Sequence, residues 1–190
     1  AGAKPIIVDT KEEDDYQVTG ELIKKYITSK TKGIVLNYPS NPVGSVYTVE
    51  NLAQIGKLAV EHNLYIVSDE MYEKLVYDGY KHTSIASIDN AFKERTIISN
   101  GVSKAYSMTG WRIGYTAGKK EIVSAMSNIQ SQSTSNPTSI SQYAALAALT
   151  GPQDFIATMV GEFQKRRDYL VRELSNIPGV TCYNPRGAFY

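Results

Sequence analysis

The chain has 190 residues, 42% of them hydrophobic, with 20 basic and 19 acidic side chains and a formal net charge of +1. That length and apolar content suit one globular domain, or one and a fraction. The balanced, interspersed charge gives no basic field for a polyanion, so nucleic acid is not an expected partner, and no apolar run approaches the roughly 20 residues that cross a bilayer.

The chain opens on Ala1-Gly2-Ala3-Lys4-Pro5 with no initiator Met, and Ile6-Ile7-Val8 reads at once as an interior strand. With the equally abrupt end at Gly187-Ala188-Phe189-Tyr190, this suggests an internal piece of a longer protein. Thr19 to Ile27 has helical spacing. Gly33 to Asn37 is a compact buried strand running into Pro39-Ser40-Asn41-Pro42. Thr48 reads as the N-cap of a helix whose apolar stripe is Leu52, Ile55, Leu58 and Ala59. Further strands are expected at Leu64 to Val67, Thr96 to Ser99 and Ile113 to Ala117. Continuous apolar strands separated by helices predict an α/β fold, a mostly parallel sheet covered on both faces in three α/β/α layers.

The later segments are helical. Glu121 to Ile129 is a helix, Ser131 to Ser141 a polar loop, and Ser141 to Leu149 an Ala-rich helix. Gly151-Pro152 breaks it, with Pro152 suited to the first turn of a long amphipathic helix from about Gln153 to Leu174. Pro178 to Tyr183 reads as a turn and a strand that buries Cys182. A domain boundary near Gly151 is expected, with residues 1–150 forming part of a large domain and residues 151–190 opening a smaller α+β one. The single cysteine can form no internal disulfide, which suits a reducing, cytoplasmic setting.

Three polar clusters follow predicted strands: Asn37 to Gly44, Ser68 to Tyr72, and Ser99 to Lys104. In an open parallel sheet that edge is where ligands bind. His62 and His82 have no partner at metal-ligand spacing, so no metal site is expected, and both read as solvated or loop residues. Trp111 reads as a packing residue.

The run from Ser99 to Tyr115, with Lys104 and Gly110-Trp111-Arg112-Ile113-Gly114, resembles the lysine signature of the class I/II aminotransferases, fold-type-I enzymes that use pyridoxal 5'-phosphate (PLP). Asn41-Pro42-Val43-Gly44 resembles their Asn-Pro-Thr-Gly turn, and Asp69-Glu70-Met71-Tyr72 their Asp-Glu-x-Tyr segment. Order and spacing agree, the likeness covers essentially the whole chain, and it is greatest to the aspartate aminotransferase branch. The resemblance implies the fold-type-I large domain and PLP as cofactor. The expected activity is transfer of an amino group between an amino acid, aspartate or glutamate, and a 2-oxo acid. It also implies a homodimer for the full-length protein.

The resemblance assigns roles by position. Lys104 would carry the cofactor aldehyde as a Schiff base and shuttle the proton between substrate Cα and cofactor. Asp69 would keep the pyridine nitrogen protonated; read alone, it is equally an N-cap for a helix starting near Met71. Tyr72 and Asn41 would donate to the cofactor's phenolate oxygen. Arg112, eight residues after Lys104, would hold the phosphate. Ser103 is a candidate phosphate ligand. Some members carry Ser three residues before the lysine, where this chain has Gly101, and Val43 replaces the turn's Thr. Glu70 reads as structural. The family's phosphate-cradling Gly-rich segment, ring-stacking aromatic and carboxylate-binding Arg cannot be located here, so the 190 residues alone are expected to bind PLP weakly and not turn over. Two alternatives stay open: a lyase-type fold-type-I enzyme, and an aminotransferase-like sensor domain of a transcription regulator.

Overall fold

Why this chain folds as it does is clearest at its second helix. A computed structural model describes residues 2–190. In α2 (Val49–Glu61) the residues Leu52, Ile55, Gly56 and Ala59 recur at helical spacing and are buried. Thr48 Oγ1 accepts from Asn51 N at 3.2 Å and starts the helix as its side-chain cap. Leu52 and Ile55 are fully buried, each stabilising by about 1.5–3 kcal/mol as an upper estimate. The stripe packs with Ile23 of α1 (Gly20–Lys24), capped by Thr19, and with Phe92 of α3 (Asn90–Lys93), capped by Asp89. Gly56 leaves room for Phe92, because a Cβ there would stand 2.5 Å from two of its ring carbons.

The sheet under this layer has the order β1 (Gly33–Asn37), β2 (Tyr65–Asp69), β3 (Thr96–Gly101), β4 (Gly114–Ala117). The first three strands are parallel, and β4 runs antiparallel to β3. Leu36 and Ile66 point into the core with α2. Their alternate neighbours Val35 and Tyr65 stay 76% and 49% exposed, so the opposite face of the sheet is uncovered at this edge among the described residues. The architecture is α/β with a mostly parallel open sheet.

Three long helices follow: α4 (Lys120–Ser133), α5 (Ser139–Thr150) and α6 (Asp154–Ser175). The polar loop expected over 131–141 shrinks to five residues, 134–138, because helix extends into it from both sides. Pro152 lies outside α6, whose N-cap is Gln153. A second cluster joins α6 to the strand-end loops: Tyr72, Leu75 and Ala188 pack with Met159, Val160 and Phe163.

Two strand expectations fail. Residues 6–8 are irregular, with Ile6 and Ile7 57% and 75% exposed, since no neighbouring strand offers them a ladder. Residues 178–183 are also irregular, and Cys182 is half-buried rather than a core residue. The real pairing lies further on, as a single antiparallel bridge between Val76 and Gly187.

Candidate active site

The parallel register sets Asn37, Asp69 and Ser99 side by side, at the last residues of β1 and β2 and two residues before the end of β3. A cleft of about 450 Å³ opens there, lined by Asn37, Asn41, Asp69, Met71, Tyr72, Ser99 and Lys104. Four of the six residues singled out in the sequence therefore meet on one cavity.

Each is held by local chemistry. Asn41 N donates to Asn37 Oδ1 at 2.7 Å, which folds the chain back over the end of β1. The turn closes through Gly44 N to Ser40 O at 2.9 Å. Gly44 has φ +73, and a Cβ there would press on Gly187 O and Pro185 Cβ, so the motif's glycine is required by both conformation and space. Val43 supplies no hydroxyl at this turn.

Asp69 Oδ1 accepts from Met71 N at 3.2 Å, which leads the chain into a series of turns. The helix that Asp69 could have capped does not form. Its Oδ2 has no hydrogen-bond partner among the described residues. Tyr72 is 3% exposed, and its hydroxyl lies 2.7 Å from that of Tyr190. Burial first, then the Tyr190 hydroxyl and the Asp69 charge, push its phenol well above the ordinary range. Lys104, in the turns after β3, is half-buried. Its Nζ stands 5.5 Å from the centre of the Tyr72 ring and 5.2 Å from that of Phe189. Among the described residues it has no ion pair and donates no hydrogen bond.

Two candidates do not line the cleft. Ser103 is buried at 9% exposure, with its main-chain oxygen accepting from Met108 N. Arg112 is exposed, with φ +49 and Nη1 donating to Thr109 O at 2.9 Å. Gly101 has a structural reason for standing where some relatives carry Ser. It faces Gly114 across the β3–β4 ladder, and a Cβ would come within 3.0 Å of Gly114 Cα and 3.1 Å of Met71 Cε. Trp111, expected to pack, is 43% exposed, and its carbonyl accepts from Ser141 Oγ at 2.7 Å.

The sequence reading missed several neighbours. Phe189 and Tyr190 stack edge-on against Tyr72, while Asn37, Met71 and Ser99, which belong to the three polar clusters but had no role assigned, line the cleft. His82, expected to be solvated or on a loop, does lie on a loop, but its side chain is only 9% exposed and lies 2.9 Å from buried Glu70. The reason is a loop return: residues 80–84 fold back under the end of β2, which no periodicity announces.

The whole chain, residues 1–190, matches the family model for aminotransferase class I and II. The chain belongs to the class I and II aminotransferases. It is 52% identical over 190 residues to an aspartate aminotransferase of Bacillus subtilis (strain 168), covering 100% of this chain and 48% of that protein. It is 51% identical over 191 residues to an aspartate/prephenate aminotransferase of Cereibacter sphaeroides, again covering 48% of the relative. The crystal structure of an aspartate aminotransferase from Rhizobium meliloti superposes with TM-score 0.95 at 42% identity, over 97% of this chain and 46% of that one. An aromatic aminotransferase from Pyrococcus horikoshii superposes with TM-score 0.93 at 39% identity, over 97% of this chain and 50% of that one. The chain thus spans about half the length of the relatives it matches.

Proposed function

We propose that this chain is part of a PLP-dependent aminotransferase that moves amino groups between aspartate or glutamate and a 2-oxo acid. The observation that carries the reading is Lys104: a half-buried amine without a polar partner among the described residues, in one cleft with Asp69 and Tyr72. An uncommitted amine is what an aldehyde cofactor requires, and Asp69 Oδ2 is an uncommitted acceptor suited to a protonated ring nitrogen. The donor set therefore fits PLP. The names of the relatives, aspartate and aspartate/prephenate aminotransferase, support amino transfer over lyase chemistry or ligand sensing.

When bound, the cofactor supplies a carbonyl carbon that takes up an amino group and a ring that draws electrons from the substrate Cα. The protein's own residues do the rest. Lys104 Nζ holds the cofactor and, once released, moves the proton at the substrate Cα. The Asp69 carboxylate would keep the ring nitrogen protonated, so that the ring could draw electrons from the substrate Cα. Tyr72 Oη and the Asn41 amide donate to the ring's phenolate oxygen. Arg112, and more weakly Ser103, would hold the phosphate, as their places in the motif imply.

The domain division near Gly151 belongs to the same reading: residues 151–190 pack on the Tyr72–Asp78 loop through α6, which suits a second domain beginning there. We also place the enzyme in the cytoplasm as a homodimer, its single free cysteine suiting a reducing compartment. The test is an absorbance titration of the full-length protein with PLP, followed by a panel of amino acids. Bleaching of the bound-cofactor band by aspartate or glutamate, with pyridoxamine phosphate formed, is the expected result. A band unchanged across the panel would overturn the assignment.

A further inference from the structure

Glu70 follows Asp69 in the chain but turns away from the cleft into the protein. Its side chain is 2% exposed. Oε1 takes hydroxyl hydrogen bonds from Ser68 and Ser84, each at 2.7 Å, and a longer one from Tyr38 at 3.4 Å. Oε2 lies 2.9 Å from Nε2 of His82, whose ring stacks on Tyr38 with centres 5.1 Å apart. The remaining charged group nearby is Glu73, with a carboxylate oxygen within 4.8 Å of the ligand atoms of Glu70 and His82. Burial opposes the Glu70 charge, but the hydrogen bonds from His82, Ser84 and Ser68 win and hold its carboxyl below the usual range. With both oxygens engaged, Glu70 has little left to offer a metal ion.

The backbone closes the arrangement. Tyr38 N donates to Asp69 O at 3.1 Å, and Glu70 N to Ser99 O at 2.9 Å. Tyr38 Oη accepts from Ile85 N at 2.9 Å. The buried carboxylate therefore ties Tyr38, just after β1, to Ser68 of β2 and to the loop at 82–84, while main-chain bonds join Tyr38 to Asp69 and Glu70 to Ser99 of β3. A buried charge is tolerated only with such a complete set of partners, so loss of one disturbs the rest.

We propose that Glu70, held by His82, is a positioning residue that fixes Asp69 and Asn41 in the cleft wall and so sets cofactor affinity and ionisation without touching cofactor or substrate. This rests on the PLP reading of the cleft. The test uses the full-length protein with Glu70→Gln, His82→Ala and His82→Gln. Gln at position 70 keeps the shape but removes the charge; Gln at position 82 keeps an N–H donor. For Glu70→Gln, equilibrium dialysis should show PLP binding weakened about tenfold, the order of one lost charge-assisted hydrogen bond. The pH midpoint of the bound-cofactor absorbance should move, while KM for the amino acid stays at the wild-type value. His82→Ala should give the same pattern in smaller measure, and His82→Gln should restore it. If Glu70→Gln and His82→Ala lower thermal stability yet leave PLP affinity and midpoint unchanged, the network is merely structural and the proposal fails. Should Glu70→Gln not fold, the His82→Ala and His82→Gln pair decides by the same two readouts. A wild-type protein that takes up no PLP overturns the cofactor reading itself, and that is seen before any variant is compared.

Discussion

Replacing Arg167 by Met should loosen the packing of residues 185–188 on the loop after Tyr72. Arg167 on α6 is 8% exposed. Its Nη1 and Nη2 clasp both carboxylate oxygens of Asp78 at 2.7 and 2.8 Å, and Nη1 also donates to Pro185 O at 2.9 Å. Its guanidinium stands 5.0 Å from the centre of the Tyr77 ring, whose hydroxyl donates to Ala188 O. Arg167 thus fastens the loop after Tyr72 to residues 185–188. The Asp78 side chain is 38% exposed, so the ion pair itself is discounted to about 1 kcal/mol. The buried Pro185 carbonyl left without its donor costs about 1–3 kcal/mol, and the lost cation–π contact about 0.5–1 kcal/mol. Together the loss is about 2.5–5 kcal/mol, on the order of a hundredfold or more in the local opening equilibrium. Hydrogen exchange in the full-length protein reads this directly at two amides: Tyr77 N, bonded to Arg186 O, and Ala188 N, bonded to Leu75 O. The hydrogen bonds from Arg167 first, and its charge as well, hold Asp78 below its ordinary pKa of 3.8. A depressed folded value means the pair's contribution is full above the unfolded carboxylate value, about 3.9, and fades as pH falls below it. The gap between wild type and Arg167→Met should therefore narrow in acid. Unchanged protection at both amides in the variant would refute the reasoning.

Thr48→Ala should cost about 1 kcal/mol by removing the cap on Asn51 N, read as a lowered thermal midpoint with activity per folded molecule unchanged. Gly56→Ala should cost about 1–3 kcal/mol by forcing a Cβ onto the Phe92 ring, with the same readout. Asp69→Asn in the full-length protein should lower kcat by about a hundredfold or more, because the neutral amide cannot hold the ring nitrogen protonated. Steady-state kinetics showing less than a threefold drop, about 0.7 kcal/mol, would count against that role.

The strands and the capped helix were legible because their signals are local. Gly33 to Asn37 and Thr96 to Ser99 are short apolar runs bounded by turns, and Thr48 places a hydroxyl three residues before the N–H it accepts from. Ile6-Ile7-Val8 has the same composition as a strand but no partner to pair with, and pairing is a property of the whole sheet. Lys104, Asp69, Tyr72 and Asn41 share a cleft because three parallel strands run to one edge, which strand alternation alone suggests. The Glu70–His82 pair was invisible because the two stand twelve positions apart across a stretch of turns and loop, and only the fold returns one to the other. Phe189 and Tyr190 reach Tyr72 from more than a hundred residues away, through a bridge at Gly187 that no periodic pattern marks.

The most direct measurement is borohydride reduction of the full-length protein with PLP, followed by peptide mapping. The account predicts one phosphopyridoxyl-labelled peptide, with the label on Lys104, and its loss in Lys104→Arg while the fold persists by circular dichroism. A stable label on another lysine, or labelling undiminished in Lys104→Arg, would contradict it.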